Sequence, residues 1–277
     1  MVVGKHDPLR FVKYAVLILF TIIFLYPILW LVLNSFKPSA ELFASPWALP
    51  KDFTLDNYAR AITEGNIGKY FINSVVVTAS VVLLNTLLSI MAAYGLTRLR
   101  WKLSGVTLSI FMLGMMIPTH ATIVPLFSMF NKMHILNSYA AVILPHVVFA
   151  MPISILILTG FMSSVPFEME EAAVIDGCSI PKAFFKIICP MITPSIVTVA
   201  VITFITAWND LLFPQIFLSD PNLMTLPVGL TTFQGRYSTD YVGMIAAVVI
   251  TIIPSIIIYA ILHDKIIDGM TAGAVKG

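Results

Sequence analysis

Residues 139–177 read YAAVILPHVVFAMPISILILTGFMSSVPFEMEEAAVIDG, and the change of character partway along decides how the chain folds. Tyr139 to Met162 carries no Lys, Arg, Asp or Glu. About twenty such residues are what an α-helix needs to cross a bilayer. Glu168, Glu170, Glu171 and Asp176 then arrive together, with Lys182 and Lys186 close behind. Charge is costly in lipid, so this segment belongs in water or against a soluble partner. Beyond it, residues 187–209 are again free of ionised side chains. The order is therefore membrane helix, aqueous loop, membrane helix.

The loop has the grammar of two short helices and a break. Ser163 and Ser164 are candidate N-caps, Pro166 suits a first turn, and the glutamates favour the positive end of a helix dipole. Ala172 and Ala173 form helix readily and have little bulk, which lets a neighbouring surface come close to the backbone. Gly177 is placed to end the helix. Ser179 can cap a second one, with Pro181 in its first turn and Phe184 and Phe185 as apolar anchors.

Outward from this stretch the same alternation repeats. The chain is 58% hydrophobic and 11% charged, where soluble domains are about a quarter charged. Apolar runs at 14–36, 70–97, 103–127, 139–162, 191–213 and 241–263 predict an all-α, polytopic bundle of six transmembrane helices. They form a single domain over 1–277, embedded in the lipid bilayer. Residues 14–36 lack a small-residue cleavage signal and read as an uncleaved span. Ten Lys and Arg fall on the side of the termini and the 163–190 loop, among them Lys5, Arg98, Arg100, Lys265 and Lys276. Six, including Arg236, fall in or beside the other connections, chiefly loops 37–69 and 214–240. The positive-inside bias therefore predicts N-in and C-in, with loop 163–190 cytoplasmic.

Catalytic signatures are missing. There is no phosphate-binding G-x-x-x-x-G-K-S/T, no G-x-S-x-G and no H-E-x-x-H, so no enzyme, cofactor or metal site is expected. A net charge of +2 without a basic aromatic patch argues against nucleic acid. Cys178 and Cys189 read as reduced thiols. His120 and His146 read as bundle hydrogen-bonders or cavity lining, with Asp210 at a span end as the nearest carboxylate. Asn85, Thr122, His146 and Asn209 are the candidate lining of a translocation path, in a bundle that also holds Ser89, Thr203 and Thr206. Uncharged groups of this kind suit a neutral hydroxylated solute; the alternative for each is hydrogen bonding between helices. An ion-coupled secondary transporter is a second reading, disfavoured by spans without ionised residues and by the lack of a repeat. The prolines at 27, 118, 125, 145, 152 and 254 are tolerated where neighbouring helices satisfy the freed backbone.

Glu171-Ala172-Ala173, Gly177, Ile187 and Pro190 resemble the EAA loop of ABC-importer permeases, with Cys189 where that pattern usually has Leu. The alternative is an ordinary polar connector. The likeness continues through Phe53-Thr54-Leu55-Asp56-Asn57-Tyr58, Phe71-Ile72-Asn73-Ser74, Ala93-Tyr94-Gly95-Leu96 with Arg98, Ile143-Leu144-Pro145, Trp208-Asn209-Asp210 and the tail from Ala272 to Gly277. In that order they resemble the smaller permease of maltose-type carbohydrate importers. The resemblance implies the type I ABC-importer permease fold and a heteromeric complex. Its other members would be a second permease, two ATP-binding cassette subunits that hydrolyse ATP, and an extracytoplasmic solute-binding protein. It implies an ATPase-coupling role for Glu170, Glu171, Ala172, Ala173, Asp176, Gly177 and Phe184, contact of the tail with the ATPases, and a sugar site lying mainly on the partner permease. A neutral sugar is the expected solute, with glycerol phosphate as an alternative.

Overall fold

The computed structural model describes residues 8–99, 101–235 and 239–274. Lys5, Arg100, Arg236 and the Val275-Lys276-Gly277 end of the tail lie outside them. The helices in order are α1 (Pro8–Ser35), α2 (Ser39–Ala44), α3 (Asp56–Thr63), α4 (Ile67–Thr97), α5 (Ser104–Gly114), α6 (Ile123–Lys132) and α7 (Tyr139–Met162). They continue with α8 (Glu168–Ile175), α9 (Ile180–Ala183), α10 (Cys189–Met191), α11 (Thr193–Trp208), α12 (Leu212–Phe217), α13 (Leu226–Thr231) and α14 (Tyr241–Ala274). No strand occurs among the described residues beyond a bridge between Gln234 and Thr239. Four helices, those beginning at Arg10, Ile67, Tyr139 and Tyr241, are long and apolar enough to cross a membrane. Two bent pairs bring the number of spans to six.

Those pairs correct two expected spans. The third, drawn as continuous over 103–127, stops at Gly114 and turns by 85° into Thr119–Lys132. Pro118 sits at the corner with an extended ψ of 114°, and proline disfavours helix in the residue before it. The fifth, drawn over 191–213, ends at Trp208 and is a bent pair in which Ile180–Met191 meets α11 at 79°. Pro194 in the first turn of α11 has no N–H to give the carbonyl of Pro190. Thr193 Oγ1 donates to that carbonyl instead, at 2.8 Å.

Residues 1–68 with 229–253 form one compact unit. From Phe11 to Leu29 the large apolar side chains of α1 are exposed on all sides, as suits a helix facing lipid or another chain. The loop after it is folded rather than loose. Lys37 is wholly buried; its Nζ donates to the carbonyls of Ser45 at 3.0 Å and Ala48 at 2.6 Å. Asn57 Nδ2 donates to the carbonyls of Ser35 and Lys37, both at 2.8 Å. Leu42 packs with Val242 and Ile245 beside Trp30. The exposed Arg60–Asp240 pair, 3.6 Å apart, adds little.

Residues 69–228 with 254–277 form the second unit. Asn85, fully buried on α4, donates to Ser154 Oγ on α7 and Thr203 Oγ1 on α11, each at 2.8 Å, and accepts from Ser89 at 3.2 Å. One amide thus joins three helices. In lipid no hydrophobic gain accrues when apolar helices meet, so such bonds, each about 0.6–2 kcal/mol, and close packing hold them. Gly114 supplies one close approach: a Cβ there would stand 3.3 Å from Pro152 of α7.

Candidate functional site

Loop 163–190 is anchored from below and open above. The expected serine caps do not form: Ser163 and Ser164 donate back to the carbonyls of Thr159 and Phe161 at the end of α7. Phe167 takes the N-cap position of α8, without a side-chain cap. The other end is a Schellman motif. Gly177 N–H reaches the carbonyl of Val174 at 3.0 Å and Cys178 N–H that of Ala173 at 2.8 Å, with Gly177 at φ +81°. Ser179 occupies the N-cap position of α9, again without a side-chain bond.

The seven expected coupling residues divide by face. Glu171, Ala172, Asp176 and Gly177 are exposed. Beside them Ile175 is 85% exposed and Val174 54%, an apolar tip on a charged loop. Ala173 and Phe184 are buried. Phe184 belongs to a cluster with Ile90, Leu158, Met162, Ile188 and Val199, and its ring meets Tyr94 edge-on at 4.8 Å. Phe185, expected as a second anchor, points outward and is 59% exposed.

Glu170 turns inward, where Tyr94 Oη donates to Oε1 and Arg98 Nε stands 3.6 Å from Oε2. The Arg98 side chain, 1% exposed, also donates through Nη2 to the carbonyls of Met162 and, at 2.6 Å, Val165. It lies 4.4 Å over the Phe167 ring. A buried guanidinium is tolerated only with such partners. They tie the end of α4 to the end of α7 and to α8. Sequence reading took Arg98 as a positive-inside marker and as part of the family likeness with Ala93-Tyr94-Gly95-Leu96, and gave it no partner on the loop.

The four expected path residues do not converge. Asn85 is the buried clasp described above, its amide spent on neighbouring helices. Thr122 donates to the carbonyl of Thr119 at 2.6 Å. Asn209, exposed at the end of α11, donates to the carbonyl of Ile205 at 2.8 Å. His146 lines a cavity of about 320 Å³, with Thr119, His120, Phe149, Thr206 and Asp210 among its walls. His146 Nε2 stands 3.0 Å from Asp210 Oδ2. Sequence reading placed Asp210 at a span end but did not pair it with His146. The two lie 64 residues apart, and only the break after α11 turns the carboxylate towards α7. No group of three or more metal-ligating side chains occurs among the described residues.

Residues 85–271 match the family described as binding-protein-dependent transport system inner membrane component. The chain belongs to this family, a multi-pass membrane protein and a transport subunit. It is 34% identical to the diacetylchitobiose uptake system permease protein NgcG of Streptomyces coelicolor, over 96% of this chain and 88% of that one. It is 34% identical to the trehalose/maltose transport system permease protein MalG of Thermococcus litoralis, over 94% of each. Its fold is shared with a chain of a bacterial ABC transporter involved in the import of the acidic polysaccharide alginate. That match has a TM-score of 0.81 at 20% identity and covers 95% of this chain and 99% of that one.

Proposed function

We propose that this chain is the membrane-spanning permease subunit of an ATP-driven importer of neutral oligosaccharides. It forms half of the translocation pathway and takes its drive from a separate cytoplasmic ATPase through loop 163–190. The observation that carries the coupling role is the division of that loop. Glu171, Ala172, Ile175 and Gly177 face away from the chain, while Glu170, Ala173 and Phe184 bear on the ends of the spans. A force applied to the outer face would reach α4 through Arg98 and α11 through the cluster around Phe184 and Ile188.

The sugar reading is supported by relatives named for diacetylchitobiose and for trehalose and maltose uptake. The exposed length of α1 supports a second permease beside this one, and the family description supports a solute-binding protein outside the membrane. The test is uptake into vesicles by the assembled complex with its binding protein. Glu171→Lys and Gly177→Val should abolish ATP-driven uptake while the complex still assembles; undiminished uptake by either would refute the coupling role.

A further inference from the structure

We propose that the cavity between α7 and the α11–α12 break is a sugar-hydroxyl subsite on this chain, with Asp210 as acceptor, His146 as the residue that orients it, and Phe149 as an apolar wall. The inference rests on the importer reading above and adds to it a solute contact in this subunit.

Two interruptions of helix meet at this cavity. Thr119 and His120 open the 3-10 turn (Thr119–Thr122) that follows the break at Pro118, and Asp210 lies in the gap between α11 and α12. Non-helical backbone at membrane depth is tolerated where it is buried in protein or lines a water-filled space, and broken helices mark solute sites in transporters. The acid is held, not loose. Its Oδ1 accepts from Leu212 N–H and its Oδ2 from Phe213 N–H, both at 3.2 Å, besides the bond to His146. These are three of the roughly four hydrogen bonds a carboxylate can accept, which leaves capacity for a hydroxyl. His120 lines the same space and has no side-chain hydrogen bond among the described residues.

The walls suit a sugar. The Phe149 and Phe213 rings lie nearly parallel, 18° apart with centroids at 6.4 Å, and His146 stands edge-on to Phe213 at 5.3 Å. A mostly apolar pocket with a few fixed polar groups is the form small-molecule sites take. Position agrees as well. His146 lies sixteen residues before Met162 on α7, roughly 24 Å from the coupling loop at 1.5 Å per residue, at the end where a solute would arrive. A negative carboxylate in a confined space also disfavours anionic sugars.

The experiment uses the reconstituted complex with its binding protein and three neutral probes: trehalose, maltotriose and diacetylchitobiose, with trigalacturonate as the anionic comparison. For whichever probe is taken up, Asp210→Asn and Asp210→Ala should raise the half-saturating concentration at least about tenfold, the scale of a lost charged hydrogen bond. His146→Gln, which keeps a donor, should fall between them and wild type. A second reading does not depend on those variants assembling. In a Cys178→Ser, Cys189→Ser background, the probe should slow modification of Ala150→Cys, a cavity position, by a water-soluble thiol reagent. An unchanged half-saturating concentration, or equal labelling with and without probe, overturns the subsite while uptake by wild type preserves the importer reading. Wild-type uptake of none of the neutral probes overturns both.

Discussion

Gly177 carries a constraint that no contact explains. Its φ of +81° is left-handed, and a Cβ there would meet nothing within 4 Å. Gly177→Ala therefore adds backbone strain alone, about 1–2 kcal/mol. Uptake per assembled complex should fall with Ala and fall less with Asn, which tolerates this conformation; equal loss for both would show that the strain is not what matters. Arg98 is the converse case, a residue whose worth is all contact. Arg98→Ala leaves Glu170 inside with only Tyr94 to bond it, and breaking a buried pair of this kind costs about 3–5 kcal/mol. Arg98→Lys keeps the charge but cannot reach both carbonyls and the Phe167 ring together. Thermal denaturation of the purified complex should rank wild type above Lys and Lys above Ala.

Among the elements, α8 is the one on which the proposed coupling to an ATPase rests. Its exposed tip at Val174 and Ile175 follows the acidic turn, so a receiving groove should be apolar at its floor and basic at its rim. Ile175→Cys should crosslink to the ATPase subunit, and Phe184→Cys, buried on the opposite side, should not. The reverse pattern would mean that the helix is docked the other way round. The Asn85 clasp acts at the same scale. Asn85→Leu removes the amide that bridges α4, α7 and α11 and leaves Ser154 and Thr203 without their donor. We expect a loss of about 1–3 kcal/mol, read as a lower midpoint in detergent-induced unfolding, with the sugar dependence of uptake unchanged. A shifted half-saturating concentration would instead place Asn85 on the path.

For the whole molecule, the orientation argument makes a direct claim. Ile175→Cys should react with a membrane-impermeant thiol reagent only when the reagent is inside sealed vesicles of native orientation, and Phe53→Cys only from outside. Labelling of Ile175→Cys from outside would invert the topology and remove the coupling reading with it. Most of this scale was legible beforehand. The six apolar runs, the all-α class and the charged loop follow from hydropathy and charge, which act locally and leave their mark in consecutive residues. The family likeness was legible in the spacing from Glu171 to Pro190.

What the sequence determined alone is where chain meets lipid and where it meets water, because the transfer of charge and apolar surface depends on residue type before any neighbour is chosen. Tertiary structure decided the rest. It bent the third span between Gly114 and Thr119 and ended the fifth at Trp208, bonded Asn85 to α7 and α11, turned Glu170 in and Glu171 out, and brought Asp210 to His146. Each depends on which partners lie across a helix interface, and a hydrogen bond between residues 64 or 118 apart is set by packing geometry that no local pattern encodes.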